Sequence, residues 1–89
     1  MPLTVSIVSP EQILFQGEAD MVVARTASGD AAFLVGHAPF IASLATGQVR
    51  VVSGQANLAV ADVDGGFIEV SNDSVTVLTD RASLQTSGE

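Results

Sequence analysis

The segment Asp64-Gly65-Gly66-Phe67-Ile68-Glu69-Val70-Ser71-Asn72-Asp73-Ser74-Val75-Thr76-Val77-Leu78-Thr79 decides the fold class of this chain. Its apolar residues recur at every second position, which is typical of β-strands because successive side chains point to opposite faces of a sheet. Gly, Asn and Asp interrupt the pattern at 64–66 and 72–73, and these residue types accept the positive φ angles of tight turns. We therefore predict strands over 67–70 and 74–79, with a hairpin turn at each interruption.

The same two-residue period extends through the rest of the chain. In the first segment Leu3, Val5 and Ile7 share one face, while Thr4 and Ser6 share the other. Further strands are predicted over residues 12–15, 19–25, 31–35, 40–44, 48–52 and 57–63. Turn-forming residues separate them: Ser9-Pro10-Glu11, Gln16-Gly17-Glu18, Ser28-Gly29-Asp30, Thr46-Gly47 and Ser53-Gly54-Gln55.

No segment before residue 82 carries a sustained helical stripe of apolar residues. About nine short strands cannot form one open sheet without leaving an apolar face in water, so a second layer is needed. The sequence therefore predicts an all-β, antiparallel β-sandwich. We assign residues 1–82 to the sandwich domain and residues 83–89 to a polar C-terminal tail.

Length and composition indicate one folded domain. The chain has 89 residues, 47% of them hydrophobic, which suits a single core and excludes a disordered chain. Cysteine is absent, so disulfides and thiolate metal sites are excluded. The longest apolar run, Ala31 to Val35, is far below the ~18 residues of a membrane-spanning helix. Because Met1-Pro2-Leu3-Thr4 also lacks the features of a secretory signal, we predict a soluble, cytoplasmic domain.

The charge of the chain is strongly negative. Ten carboxylates oppose three arginines, Arg25, Arg50 and Arg81, and the formal net charge is −7. Binding to nucleic acid or to anionic lipid requires clustered Lys or Arg, so we expect neither nucleic-acid binding nor direct insertion into lipid. A protein partner is expected to be neutral or basic at the contact, although dispersed acidity can also serve solubility alone.

Few residues suit catalysis or metal binding. His37 is the only histidine, so neither a multi-histidine metal site nor a histidine dyad can form. Asp62 and Asp64 are too sparse for a carboxylate-only cation loop and suit a turn before Gly65. A serine nucleophile beside His37, such as Ser43, is left open, although no third orienting group accompanies it. We expect no catalytic residue, no cofactor and no metal.

One glycine-bracketed stretch stands apart from the repetitive strands. Residues 29–40 read Gly-Asp-Ala-Ala-Phe-Leu-Val-Gly-His-Ala-Pro-Phe and contain the single histidine together with the only proline after residue 10. Loops held by a rigid scaffold commonly carry binding residues. Functional residues are therefore expected in this stretch.

Several short motifs follow one another in a specific order: Ser9-Pro10-Glu11, Gly17-Glu18-Ala19-Asp20, Gly29-Asp30, Gly36-His37-Ala38-Pro39-Phe40-Ile41, Gly47-Gln48-Val49-Arg50-Val51, Asp64-Gly65-Gly66-Phe67-Ile68-Glu69-Val70 and Val75-Thr76-Val77-Leu78-Thr79. In this order they resemble the epsilon subunit of bacterial F-type ATP synthases, from residue 3 to about residue 82. The Gly-His-Ala-Pro and Gly-Gly-Phe-Ile-Glu-Val motifs are the most specific. The resemblance implies a sandwich of about ten strands, in agreement with the strand pattern.

The resemblance also implies a function. The chain would be a non-catalytic subunit of the central stalk, contacting the gamma subunit and the polar loops of the membrane-embedded c-ring and coupling proton transport to ATP synthesis. It would lie at the cytoplasmic face of the bacterial inner or plasma membrane. The implied partner interface comprises Asp30 and His37, which face the c-ring loops, and Ala38, Pro39, Phe40 and Ile41, which meet gamma or the ring.

The chain departs from the family pattern in two places. Where the family usually has Gly-Ile-Leu-Pro-Gly-His, residues 32–37 read Ala-Phe-Leu-Val-Gly-His, which implies a different loop backbone because a glycine and a proline are replaced. The family commonly carries a C-terminal helical hairpin that restrains ATP hydrolysis. The sequence stops before such a hairpin, so we expect no inhibition of that kind in cis.

Simpler roles exist for the same residues. Asp30 can be only a turn former, and His37 can fix its loop by bonding to a neighbouring carbonyl group. Phe33 and Phe40 are expected in the core, because a small domain needs its aromatic area inside. Two other functions stay open at this point: a stand-alone β-sandwich interaction module and a small hydrolase that uses His37.

Overall fold

The structure, a computed structural model, describes residues 2–85. Within that range every regular element is a strand, and the nine strands are β1 (Leu3–Val8), β2 (Ile13–Ala19), β3 (Met21–Thr26), β4 (Gly29–Leu34), β5 (Phe40–Ser53), β6 (Ala56–Val63), β7 (Phe67–Ser71), β8 (Ser74–Leu78) and β9 (Ala82–Gln85). The predicted all-β class is confirmed. Within residues 2–85 no helix is long and apolar enough to cross a membrane.

The strands form two sheets that share β5. Sheet I has the order β2-β1-β8-β7-β5 and sheet II has the order β4-β3-β5-β6-β9. Residues 40–43 of β5 pair with β7 in sheet I, and residues 47–53 pair with β6 in sheet II. The chain therefore passes from one layer of the sandwich to the other without leaving the extended conformation.

The core lies between the two sheets and consists of the apolar residues on one face of each strand. Alternation is strict in β1 and β8, where every second side chain is fully buried. Phe33 on β4 is the largest buried side chain. The principal core residues are Leu3, Val5, Ile7, Val22, Phe33, Val49, Val51, Ala61, Ile68, Val70, Val75 and Val77.

One predicted hairpin is confirmed and the other is wrong. Asn72 and Asp73 join β7 to β8 with φ angles of 50° and 59°, as a two-residue turn matched to strand twist requires. By contrast, Asp64-Gly65-Gly66 does not join paired strands, because β6 pairs in sheet II and β7 in sheet I. The glycines there serve a crossover between the layers.

The strand bounds differ from the prediction at two glycines. Gly17 lies inside β2, and Gly47 lies inside β5, which replaces the two strands predicted over 40–44 and 48–52. The ring of Phe15 would lie 3.3 Å from a Cβ at Gly17, and the Arg25 side chain would lie 3.4 Å from one at Gly47. Both glycines therefore make room for a neighbouring side chain, and neither forms the predicted turn.

Two further features correct the predicted architecture. β1 and β8 pair in parallel, an exception to the antiparallel pairing that was predicted for the sandwich. β9 pairs with β6 through Gln85, so the sheet continues past the boundary predicted at residue 82. The last four residues of the predicted tail, 86–89, lie outside the described residues.

Candidate partner interface

The β3–β4 hairpin presents Asp30 at the surface. Asp30 lies opposite Arg25, and the Arg25 Nε donates to the Asp30 Oδ1 at 3.0 Å, with both side chains exposed. The turn is fixed by Thr26, whose Oγ1 accepts from the Ser28 N–H at 3.2 Å and donates to the Gly29 carbonyl at 2.8 Å. Asp30 is therefore held on a rigid hairpin with one cation already beside it.

A tight turn follows the other end of β4. The His37 N–H donates to the Leu34 carbonyl at 3.1 Å, and Gly36 has a φ of 87°, the conformation that a type II turn requires at its third residue. The Gly36 N–H donates to the Asp73 Oδ1 at 2.8 Å. This bond attaches the β4–β5 loop to the turn between β7 and β8.

The His37 ring packs on two phenylalanine rings. Its centroid lies 5.0 Å from that of Phe33 and 5.9 Å from that of Phe40, both in edge-to-face geometry. Its Nδ1 lies 2.7 Å from the Ala38 carbonyl oxygen, which can only accept, so Nδ1 carries the proton and Nε2 is left for another partner. The local role predicted for His37, bonding to a neighbouring carbonyl, is confirmed.

The start of β5 displays apolar side chains. Ala38–Pro39 is exposed and its peptide bond is trans. Phe40 lies opposite the buried Val70 yet is 39% exposed, and Ile41, opposite Glu69, is 68% exposed. The prediction that Phe40 is a core residue is wrong, because β5 begins there at the margin of sheet I. Phe33, predicted in the same way, is 1% exposed and that prediction is confirmed.

The six predicted interface residues do not form one cluster. His37 to Ile41 are contiguous, but Asp30 lies at the opposite end of β4, and its four residues of separation from Leu34 correspond to ~13 Å along a strand. Among the described residues β4 pairs only with β3, so its other edge is free. Asp30 and His37 therefore flank one open strand edge.

Sequence reasoning missed Asp73 and two exposed apolar side chains. Asp73 reads as a turn residue and nothing in the sequence connects it to Gly36, 37 positions away. Leu34 and Val35 were predicted only as part of the strand over 31–35, and both are exposed. Their position between two predicted site residues was the one available signal.

The described residues offer few groups arranged for metal binding or for nucleophilic catalysis. No three His, Cys, Asp or Glu side chains within residues 2–85 are placed to hold a metal ion. Ser43 lies on β5, and in the described part of the chain no hydrogen bond joins it to His37. The arrangement around β4 is suited to surface recognition.

We expect the Asp73 carboxylate to control the rigidity of the loop. Asp73→Gly keeps a residue that accepts positive φ but removes the acceptor for the Gly36 N–H. A hydrogen bond of this kind contributes about 1 kcal/mol, so exchange of the Gly36 amide hydrogen should become about fivefold faster by NMR. Asp73→Asn, which retains an acceptor oxygen, is the control. Equal exchange rates in the two variants would show that the loop is held by other contacts.

The fold defines a β-sandwich domain, and comparison with known proteins gives its family. Residues 2–85 match the family described as the ATP synthase, Delta/Epsilon chain, beta-sandwich domain. The ATP synthase epsilon chain of Frankia casuarinae is 51% identical over 85 residues, covering 94% of this chain and 99% of that protein. The chain belongs to this family.

Other relatives differ in how much of their length is matched. The epsilon chain of Caulobacter vibrioides is 46% identical, with 86% of this chain and 88% of that protein covered. That of Leptospira interrogans is 39% identical, and this chain spans about 65% of its length. A chain from the Euglena gracilis mitochondrial ATP synthase superposes with a TM-score of 0.85 at 22% identity, covering 93% of this chain and 53% of that one. That likeness shows the fold.

Proposed function

We propose that this protein is a non-catalytic subunit of the central stalk of a bacterial F-type ATP synthase. In this role it links the gamma subunit to the polar loops of the c-ring and supports the coupling of proton transport to ATP synthesis. The observation that carries the proposal is the match to the Frankia epsilon chain over nearly the full length of both proteins. It would act at the cytoplasmic face of the membrane, as a peripheral part of the complex.

The free edge of β4 is the surface that we assign to the c-ring. Asp30 and His37 lie at its two ends, so both can meet one partner only if the whole edge lies along that partner. The polar loops of a ring offer such an extended contact. Backbone groups on the unpaired edge of β4 are available for hydrogen bonds with those loops.

The exposed apolar side chains beside His37 are assigned to the gamma subunit. Leu34, Phe40 and Ile41 present apolar area next to the loop that Asp73 holds in place. Apolar contacts of this kind supply most of the affinity of an interface. The free edge of β4 would then fix the position of the subunit on the ring, while the apolar side chains would hold the subunit to gamma.

Asp30 is positioned to exchange its ionic partner. Its bond to Arg25 is exposed, and an exposed pair contributes about 1 kcal/mol or less, so a basic side chain of a ring loop can replace Arg25 at small cost. The strongly negative charge of the chain favours the approach of such a basic group.

Assembly with gamma and the ring tests the proposal. Co-expressed with the gamma subunit of the same operon, the protein should elute as a stable one-to-one complex at micromolar concentration. In the complete synthase, Asp30→Asn should weaken attachment to the ring up to about fivefold, the equivalent of ~1 kcal/mol, and lower ATP-driven proton pumping in inverted vesicles. Its melting temperature should change by no more than about 4 °C.

Glu18→Gln is the matched control, because it removes one exposed carboxylate from β2 in sheet I. It should leave attachment and pumping unchanged. Separate elution of this protein and gamma would contradict the stalk assignment and favour a stand-alone module. Normal attachment by Asp30→Asn would contradict only the assignment of the β4 edge.

A further inference from the structure

The crossover between the two sheets contains an aspartate followed directly by glycine. Asp64 is the only aspartate of the sequence in that position. Asp64 and Gly65 lie between the end of β6 at Val63 and the start of β7 at Phe67, outside the paired strands. Because glycine has no side chain, nothing beside the Gly65 nitrogen shields it from the carboxyl group of the preceding residue.

The structure leaves both groups accessible. Asp64 is exposed and lines a cavity of about 650 Å³, so water reaches its carboxyl group. None of the hydrogen bonds among residues 2–85 involves the Gly65 N–H, and a Cβ at Gly65 would meet no atom within 4 Å. The Thr46 Oγ1 donates to the Asp64 Oδ1 at 2.9 Å. Such a donor stabilises the negative charge that develops on this oxygen when a nucleophile attacks the carboxyl carbon.

Hydrogen bonds fix the crossover on both sides of Gly65. On one side, the Asp64 N–H donates to the Arg81 carbonyl at 3.0 Å. On the other side, the Leu44 N–H donates to the Gly66 carbonyl at 2.8 Å. The length of backbone between these two attachments is therefore matched to the distance that it spans.

We propose that Asp64 is a site of spontaneous isomerisation to isoaspartate, which needs no reagent other than water. The Gly65 nitrogen attacks the Asp64 Cγ, a C–N bond forms, and the carboxyl hydroxyl leaves with the amide proton as water. The product is a five-membered succinimide ring, whose closure is favoured because the two groups are already joined in one chain. Water then opens the ring. Opening at Cγ restores aspartate, whereas opening at the former backbone carbonyl places Cβ and Cγ in the main chain.

Isoaspartate lengthens the crossover by one backbone atom. Since the backbone is attached at Asp64 and at Gly66, the extra atom must be accommodated at Gly65, which has open space around it. The Gly65 carbonyl accepts from the Oγ1 of the buried Thr79 at 2.9 Å, and displacement of Gly65 would break that bond. We therefore expect the isoaspartyl form to melt about 4–8 °C lower, the shift that the loss of one hydrogen bond gives in a domain of this size.

This inference is independent of the proposed contacts with the ring and gamma, because it concerns the crossover and not the β4 region. Ageing of the purified whole protein tests it. Samples are kept for several weeks at physiological temperature and pH, and isoaspartate is measured with a methyltransferase specific for the isoaspartyl carboxylate and a labelled methyl donor. Electron-transfer fragmentation of the digested protein should place the isoaspartate at residue 64. Its rate of formation should lie within about tenfold of that in a free peptide of residues 60–69, because backbone outside the strands is only weakly protected.

Matched variants separate Asp64 from other sites. Asp64→Glu keeps the charge but would require a six-membered ring, so the modification should be abolished. Gly65→Ala places a methyl group beside the attacking nitrogen and should slow the modification several-fold. Asp80→Glu is the control, because Asp80 is also exposed and outside the strands but is followed by Arg81. It should leave the rate unchanged.

Absence of isoaspartate at residue 64 in the aged protein overturns the proposal, as does its formation at Asp73 or Asp80 instead. The isoaspartyl form is then separated by ion-exchange chromatography, and its thermal unfolding is followed by circular dichroism. A melting temperature equal to that of the fresh protein would contradict the distortion predicted for the crossover.

Discussion

Gly66→Ala is expected to lower the free energy of unfolding by more than about 4 kcal/mol or to prevent folding altogether. A Cβ at residue 66 would overlap the carbonyl oxygen of Leu78 and lie 2.8 Å from the Thr79 Cα, and the φ of 119° is strained for any L side chain. Backbone atoms cannot rotate away as a side chain can. Urea unfolding followed by circular dichroism measures the loss.

Gly65→Ala is the control for this prediction. Gly65 also has a positive φ, 87°, but a Cβ there would meet no atom within 4 Å. Only the conformational cost remains, about 1–2 kcal/mol. If both variants lose the same stability, backbone conformation alone explains the requirement for glycine, and the close approach to Leu78 is unimportant.

Phe33→Ala is expected to cost about 3–5 kcal/mol, because it empties the largest buried site in the core. The same change removes the ring against which His37 packs. The His37 loop should therefore lose order even in the molecules that remain folded, and NMR chemical shifts of residues 36–40 should move toward those of a flexible loop. Thermal and urea unfolding give the stability.

Phe67→Ala provides the comparison with Phe33→Ala, since it removes the same side chain from an exposed position on β7. An exposed ring contributes little hydrophobic free energy to folding, so we expect the free energy of unfolding to fall by less than about 1 kcal/mol. A Phe33 variant no less stable than the Phe67 variant would mean that the two sheets can close around the empty site.

Strand positions were predictable because burial acts on one face of each sheet. Val75 and Val77 face the core while Thr76 between them does not, and this alternation is visible in the sequence itself. Which strands pair with each other was harder to predict from the sequence. The parallel contact of β1 with β8 joins segments some 70 residues apart, and no local pattern encodes which strand edge meets which.

Glycine caused the main errors in the predicted strand bounds. At Gly54, with a φ of 61°, it forms the turn that the sequence predicted. At Gly17 and Gly47 it lies in a strand beneath a neighbouring side chain. The sequence cannot distinguish a glycine selected for positive φ from one selected for the absence of a side chain, because the distinction depends on a distant neighbour.

The candidate site was partly predictable for a similar reason. His37 and Pro39 stood out by composition, and the structure places both in one ordered loop at the end of β4. The support that Asp73 gives to Gly36 arises only from the fold. The separation of Asp30 from His37 also needed the structure, since residues seven apart are close in a loop but distant along a strand.

The central place of β1 bears on how the protein is made. Its hairpin partner β2 follows directly, but its second neighbour is β8. During synthesis from the N-terminus, one side of Leu3–Val8 stays without its partner until Leu78 has left the ribosome. The nascent chain therefore completes sheet I only after residues 74–78 have been made, and until then one edge of β1 lacks its hydrogen-bond partners.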